Sequence, residues 1–500
     1  MEKRKRRETP GEEELCYLPA LKLRDLIRKK VISPVEVVRT FLHRIEKVNP
    51  IINAYCTVVP EPALKAAKRA ETAIMKRGPL NALHGVPVSI KDVTLTAGIR
   101  TTFGSKLYEN FIPNQDALVV ERLKKAGAII LGKTNTPEFA AGGSTFNKVF
   151  GVTRNPWNPD FNSGGSSGGA AAAIAAGLGP LAQGNDLGGS LRIPASFCGV
   201  VGLRPSPGRV PSVPNELCWD PFNVEGPMAR TIGDLALMLE VISGPDDRSP
   251  ISLPEEKKRF LGAVKNPSMK GFRVAWGGNL NLTPVDHEVL EITQSAAKMF
   301  LRLGCRVEEK APDFGGVRET ALIYRGLRYV SLYQDRLEDA EFKSLVNPLV
   351  IGNVEQGLKI SIRDLARAER QRSDLWQRVK AFFDETDLLL TPTVPIPAFP
   401  AETVFPTEIN GKAMENYIDW VMLTYAFSVL GLPAISVPCG FTQNGLPVGL
   451  QIVARRQGEA ILLKAAAAFE NASPWTDRRP FSRVLAKDKE DPPLRSPEFS

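Results

Sequence analysis

The chain has 500 residues, of which 43% are hydrophobic and 24% charged, with a formal net charge of +9. That balance lies in the ordinary globular range, excludes disordered, collagen-like and membrane-embedded chains, and provides for a large buried core. Five surplus cations, Lys3, Arg4, Lys5, Arg6 and Arg7, form one terminal run, and aromatics are only 7%, so the basic, aromatic-interleaved face that nucleic-acid binding needs is missing.

The basic opening runs into Glu12, Glu13 and Glu14 rather than into an apolar stretch, so no signal peptide is expected and 1–10 reads as a disordered basic tail. Ser33-Pro34-Val35-Glu36 supplies an N-cap serine, a proline at the first helical position and a glutamate at the third. With Val38, Phe41, Leu42 and Ile45 at helical spacing, this predicts an amphipathic N-terminal helix. Helices near 62–77 and 116–126 then alternate with strands near 85–91 and 128–131, a rhythm that means α/β. From 162 to 208 the chain is crowded with Gly, Ser and Pro around an Ala-rich helix at 170–176, and chemistry is expected there. A helix near 229–242, a strand near 272–276, a long helix near 362–384 and strands near 387–391, 434–438 and 447–453 follow. The Pro-rich stretches 203–214 and 392–400 read as ordered loops framing a pocket or as plain surface loops.

No linker divides the chain, so one domain over 11–485 is expected, with a flexible tail at 486–500. The small-apolar run Ala170 to Ala176 is far shorter than the roughly 18 residues that span a bilayer, and no membrane anchor is predicted. Six cysteines without CxxC pairs read as reduced, mostly packed thiols, which points to the cytoplasm.

Three chemistries compete. Gly164-Gly165-Ser166-Ser167-Gly168 is a literal G-x-S-x-G, but a Ser-His-acid triad on it needs a downstream histidine. Only His287 follows, at the start of an apparent surface helix, where a solvated histidine is the better reading. Gly127-Ala128-Ile129-Ile130-Leu131-Gly132-Lys133-Thr134 matches the P-loop pattern, yet its variable residues form an apolar run that reads as a strand rather than a phosphate-cradling turn. The third is a serine-rich constellation with a lysine. Glycines beside a nucleophile let backbone N–H groups approach a developing oxyanion, and Leu187, Gly188, Gly189 and Ser190 could aim successive donors at one point. Lys91 ends an apolar strand, where desolvation disfavours the ammonium and leaves an amine able to accept a proton.

These segments resemble the amidase signature family over most of the chain. The resemblance rests on Leu83-His84-Gly85-Val86-Pro87, Gly132-Lys133-Thr134-Asn135, Asn155-Pro156-Trp157, Gly165-Ser166-Ser167-Gly168-Gly169, Gly188-Gly189-Ser190, Cys198-Gly199-Val200-Val201-Gly202-Leu203-Arg204-Pro205 and Gly445-Leu446-Pro447-Val448-Gly449-Leu450-Gln451. It implies an α/β/α sandwich with a central mixed sheet covered by helices on both faces. It also implies a Ser-cisSer-Lys triad of Ser190, Ser166 and Lys91, with Ser167, Asp186 and Arg192 in support and Ala141, Gly142 and Gly143 lining an acyl pocket or, equally, forming a tight packing turn. Asn185 departs from the family, which usually has Ser or Thr there.

The implied reaction is hydrolysis of the C–N bond of a small-molecule amide or carbamate through a Ser190 acyl-enzyme, without cofactor or metal, in a monomer or homodimer that engages neither nucleic acid nor membrane. The chain looks most like bacterial aryl-acylamidases and metagenomic urethanases. Activity should rise into the alkaline range as Lys91 loses its proton. The alternatives are the amidase component of a tRNA-dependent amidotransferase, acting with a partner, and a P-loop nucleotide-binding module.

Overall fold

In the computed structural model, which describes residues 11–76, 78–254 and 259–481, the Ser33 hydroxyl accepts the Glu36 N–H at 3.1 Å and the Glu36 carboxylate accepts the Ser33 N–H at 3.5 Å. This reciprocal cap starts the helix Pro34–Ile52, whose buried face carries Val37, Val38, Phe41, Ile45, Val48 and Ile52. The terminal stretches 1–10 and 486–500 lie outside the described residues.

The strands form one mixed sheet of 11. Its order is Tyr55–Val58, Ile129–Thr134, Pro87–Lys91, Leu181–Asp186, Val224–Ala229, Val201–Arg204, Ala434–Phe441, Pro447–Ala454, Leu388–Pro392, Arg273–Trp276 and Arg306–Glu309. Pro87–Lys91 runs parallel to both of its neighbours, Ile129–Thr134 and Leu181–Asp186, whereas Val224–Ala229 lies antiparallel to Leu181–Asp186 with Asn185 opposite Glu225.

Strand alternation sorts side chains into two layers. Val88, Ile90 and Ile130 join one core with residues of the helices Leu118–Lys125, Ile232–Ile242 and Glu459–Ala472. Ile129, Leu131 and Ala182 join a second core with the helices Pro34–Ile52, Pro60–Met75 and Gly168–Ala175. The sheet is thus covered on both faces, an α/β architecture. Every residue of Gly168–Ala175 is buried, and its glycines and alanines let the helix lie close to the sheet.

Most expected elements are present within two or three residues. The helix expected from 229 begins at Ile232, because Val224–Ala229 is a strand and Thr231 caps the helix by accepting the Asp234 N–H. The six cysteines are free, with Cys16, Cys198 and Cys305 buried and Cys218 exposed. No helix among the described residues is long and apolar enough to cross a membrane.

Candidate active site

Because Pro87–Lys91 and Leu181–Asp186 are parallel neighbours, their carboxyl ends fall at one edge of the sheet, and the antiparallel Val224–Ala229 begins at that same edge. The edge therefore gathers Lys91, Asn185, Asp186 and Glu225, and ligand sites of open α/β sheets form outside strand carboxyl ends. A hydrogen bond of 2.6 Å joins Lys91 Nζ to Ser166 Oγ, and another of 2.6 Å joins Lys91 Nζ to Asn185 Oδ1. Lys91 and Ser166 are fully buried, and the peptide bond Gly165-Ser166 is cis.

Burial lowers the Lys91 pKa to about 7, with the charges of Glu225 and Asp186 opposing the shift. A neutral amine can donate to Asn185 and accept the Ser166 hydroxyl proton. Asn185, the residue that departs from the family, thus supplies Lys91 with an acceptor. Burial also raises Glu225 to about 7, against a hydrogen bond from the Gln183 side chain and the charge of Lys91. Gln183 ties the cluster together, since its Oε1 accepts the Lys91 backbone N–H at 3.1 Å.

The loop after Leu181–Asp186 is shaped by Asp186. Its Oδ1 accepts the Gly189 N–H at 2.8 Å and its Oδ2 the Leu191 N–H at 3.2 Å. Arg192 bonds both oxygens, at 2.9 and 3.0 Å, and Arg204 reaches Oδ1 at 3.2 Å. Burial pushes this carboxyl upward, but the two guanidiniums and their hydrogen bonds outweigh it and hold Asp186 well below the usual carboxylate range. Arg192 in turn donates to Thr424 O, Gln451 Oε1 and Ser428 Oγ.

The Gly189 N–H, expected among the oxyanion donors, is therefore occupied by Asp186. Those of Leu187, Gly188 and Ser190 donate to no protein acceptor among the described residues. Gly188 cannot carry a side chain, because a Cβ there would fall on the Tyr425 ring. Ser167 binds the loop from the other side, its N–H donating to Ser190 O at 3.1 Å and its hydroxyl to Asn185 O at 3.3 Å.

Ser166, Asn185, Leu187, Gly188, Ser190 and Glu225 line one cavity of about 480 Å³. Ser190 is half-buried, and its hydroxyl makes no hydrogen bond to Ser166 among the described residues. Phe103, Tyr108, Phe111 and Phe139 wall the cavity on one side, with Phe103–Tyr108 centroids 5.1 Å apart and Tyr108–Phe139 centroids 6.2 Å apart. A second cavity of about 530 Å³ adjoins it, and Gly142, Arg325 and Tyr417 line both.

The expected acyl-pocket residues separate. Gly142 lines both cavities and Ala141 the second, while Gly143 lines neither and packs against Trp420, so the tight-turn reading holds there. Of the Pro-rich stretches, 203–214 reaches the cavity that Ser166 and Ser190 line through Pro211 to Pro214, whereas 392–400 lines neither cavity. The P-loop reading fails on geometry. Ile129–Thr134 is a fully buried strand, and Lys133 donates to Thr94 O, Thr96 Oγ1 and Thr101 Oγ1 inside the protein. His287 is the exposed first residue of the helix His287–Arg302 and lines neither cavity. Gln183, Glu225 and Arg325 were not anticipated, because their importance comes from strand pairing and helix packing rather than from any local motif.

This arrangement sets a buried lysine–serine pair and a second serine around one cavity at the strand ends of an α/β sheet. The Amidase family matches residues 36–463, and the chain belongs to that family, the amidase signature hydrolases of non-peptide C–N amide bonds. It is 39% identical over 481 residues to an acylamidase of Rhodococcus erythropolis, covering 95% of this chain and 99% of that protein. A glutamyl-tRNA(Gln) amidotransferase component from Carboxydothermus hydrogenoformans is 36% identical, with coverage of 93% and 99%. The crystal structure of a bacterial aryl acylamidase of the amidase signature family superposes with a TM-score of 0.86 at 32% identity, covering 92% of this chain and 97% of that one.

Proposed function

We propose that the protein is a free-standing hydrolase of small amides and carbamates, aryl amides included, that uses Ser190 as nucleophile, Ser166 as proton relay and Lys91 as base. The observation that carries this reading is the 2.6 Å contact between Lys91 Nζ and Ser166 Oγ at the wall of the cavity that Ser190 also lines. Neutral Lys91 takes the Ser166 proton, Ser166 takes that of Ser190, and the Ser190 oxygen attacks the substrate carbonyl carbon. The relay requires the Ser190 hydroxyl to turn towards Ser166, an adjustment typical of catalytic hydrogen bonds that tighten only with substrate bound.

The oxyanion is received by the N–H groups of Leu187, Gly188 and Ser190. Ser166 then returns the proton to the leaving nitrogen, and water hydrolyses the acyl or carbamoyl enzyme by the reverse path. Asp186 and Arg192 hold the loop in place and touch no reacting atom. The aromatic wall suits an aryl group, in keeping with the similarity to acylamidases.

Purified protein given an aryl amide and an aryl carbamate should turn over both, and Ser190→Ala should abolish both while keeping the native circular dichroism spectrum. Equal rates in wild type and variant would refute the assignment. The similarity to glutamyl-tRNA(Gln) amidotransferase components supports a second reading, an amidase working with a partner. Weak activity alone together with co-purification of a partner protein would favour it.

A further inference from the structure

Arg325 lies in the middle of the helix Val317–Tyr333, half-buried at the junction of the two cavities. Its Nε donates to Asn353 Oδ1 at 2.9 Å and its Nη2 to the Tyr329 hydroxyl at 3.2 Å, and the Tyr425 phenol also hydrogen-bonds to it. The guanidinium lies over the rings of Tyr329 and Tyr417, 4.8 and 5.4 Å from their centroids. All of these partners are neutral.

Desolvated charges in proteins are ordinarily paired, because an unpaired one forfeits its hydration without recompense. Arg328, three residues on and lining the catalytic cavity, follows that rule through its ion pair with Asp220. Arg325 does not, since no carboxylate among the described residues pairs with it. The acids that share its cavities are engaged elsewhere. Glu138 accepts the Asn347 N–H at 2.6 Å, Glu225 is bonded to Gln183, and the charge of Glu216 acts on Arg328 and Tyr333. A guanidinium has five N–H donors, and the three partners named leave it donors to spare for a ligand.

We propose that Arg325 is a specificity-determining residue whose junction binds a carboxylate carried on the acyl part of the substrate, remote from the scissile bond. This rests on the hydrolase reading above. The acyl side is assigned because Ala141 and Gly142, expected to line the acyl pocket, open onto the second cavity and its junction. A planar guanidinium offers paired N–H donors that match a carboxylate, and the tyrosine rings hold it flat for that contact. The substrate class is then ω-carboxyacyl amides, with the chain threading from Ser190 to the neck between the cavities.

The test uses p-nitroanilides of straight-chain dicarboxylic half-acids of increasing length, each matched with a methyl-terminated anilide, on the full-length protein. Wild type should favour the half-acid of one chain length by about tenfold or more in kcat/KM, the size of a charge-assisted contact. Arg325→Gln should erase that preference through KM and leave kcat on the methyl-terminated anilide within about twofold of wild type, and Arg325→Lys should restore part of it. Absence of any preference in wild type, or a parallel loss on both substrates in a folded Arg325→Gln, would overturn the proposal while leaving the hydrolase reading standing. If neither anilide is hydrolysed the hydrolase reading falls, and calorimetric titration of the free dicarboxylates still decides the subsite. Binding to wild type that is lost in Arg325→Gln supports it, and equal or no binding refutes it.

Discussion

Replacing Asn185 by Asp exchanges one atom group and leaves the shape of the site intact, yet it places a carboxylate where the Asn185 Oδ1 now lies, 2.6 Å from Lys91 Nζ. With an effective dielectric of about 20, two unit charges at that separation attract by about 6 kcal/mol, which corresponds to between about 4 and 5 pKa units. Desolvating the new carboxylate opposes this by several kcal/mol, so a net rise of about 2 units is expected. Lys91 starts at about 7 and would move to about 9. The proposed relay needs the neutral amine, so activity should appear as pH climbs through the Lys91 value. At pH 7 the neutral fraction falls from about one half to about one hundredth, a loss of about 50-fold. The assay is the pH dependence of kcat/KM on an aryl amide between pH 5.5 and 10.5. The rising limb of wild type should be centred near 7, and that of Asn185→Asp near 9, with the two rates converging above pH 10. A midpoint that stays in place, or a uniform loss at every pH, would refute the reasoning that Lys91 must be unprotonated.

Asp186→Asn removes the anion shared by Arg192 and Arg204 and should cost about 3–5 kcal/mol of stability, read by urea denaturation at pH 7. The native Asp186 carboxyl titrates below its unfolded value of about 3.9, so its contribution is present above that pH and disappears on acidification; the acid-unfolding limb of wild type should therefore be steeper than that of the variant. Gly188→Ala would drive a Cβ into the Tyr425 ring, and displacement of Tyr425 should cost about 1–3 kcal/mol together with a marked fall in kcat. Unchanged stability and kcat in that variant would mean that the loop can retreat from Tyr425.

Much of the candidate site was legible in the sequence, because the residues involved sit in short, rigid segments with local signatures. The Gly-Ser clusters around Ser166 and Ser190 and the apolar strand ending at Lys91 each carry their meaning within about ten residues of chain, and the Ser33 cap announces its helix outright. The strand reading of 128–131 followed from its apolar run and told against the P-loop pattern, and the observed strand is Ile129–Thr134. What escaped depends on distant pairing. Glu225 matters because Val224–Ala229 lies antiparallel to Leu181–Asp186, a register that no local pattern in 221–229 encodes. Arg192 draws on Thr424, Ser428 and Gln451, more than 230 residues away. The Gly189 N–H was assigned to the oxyanion because its glycine neighbours fit, whereas the turn folds it back onto Asp186. Arg325 looks like any cation of an amphipathic helix until the packing of Val317–Tyr333 brings it to the neck between two cavities.

The most direct test is to mix the enzyme with a slowly deacylating aryl amide, quench in acid within the first turnovers, and locate the mass adduct by peptide mapping. An acyl group on the peptide containing Ser190, missing from Ser190→Ala and depleted in Lys91→Met, is the result expected for a lysine-driven serine nucleophile. An adduct on a different residue, or full hydrolysis by Ser190→Ala, would contradict it.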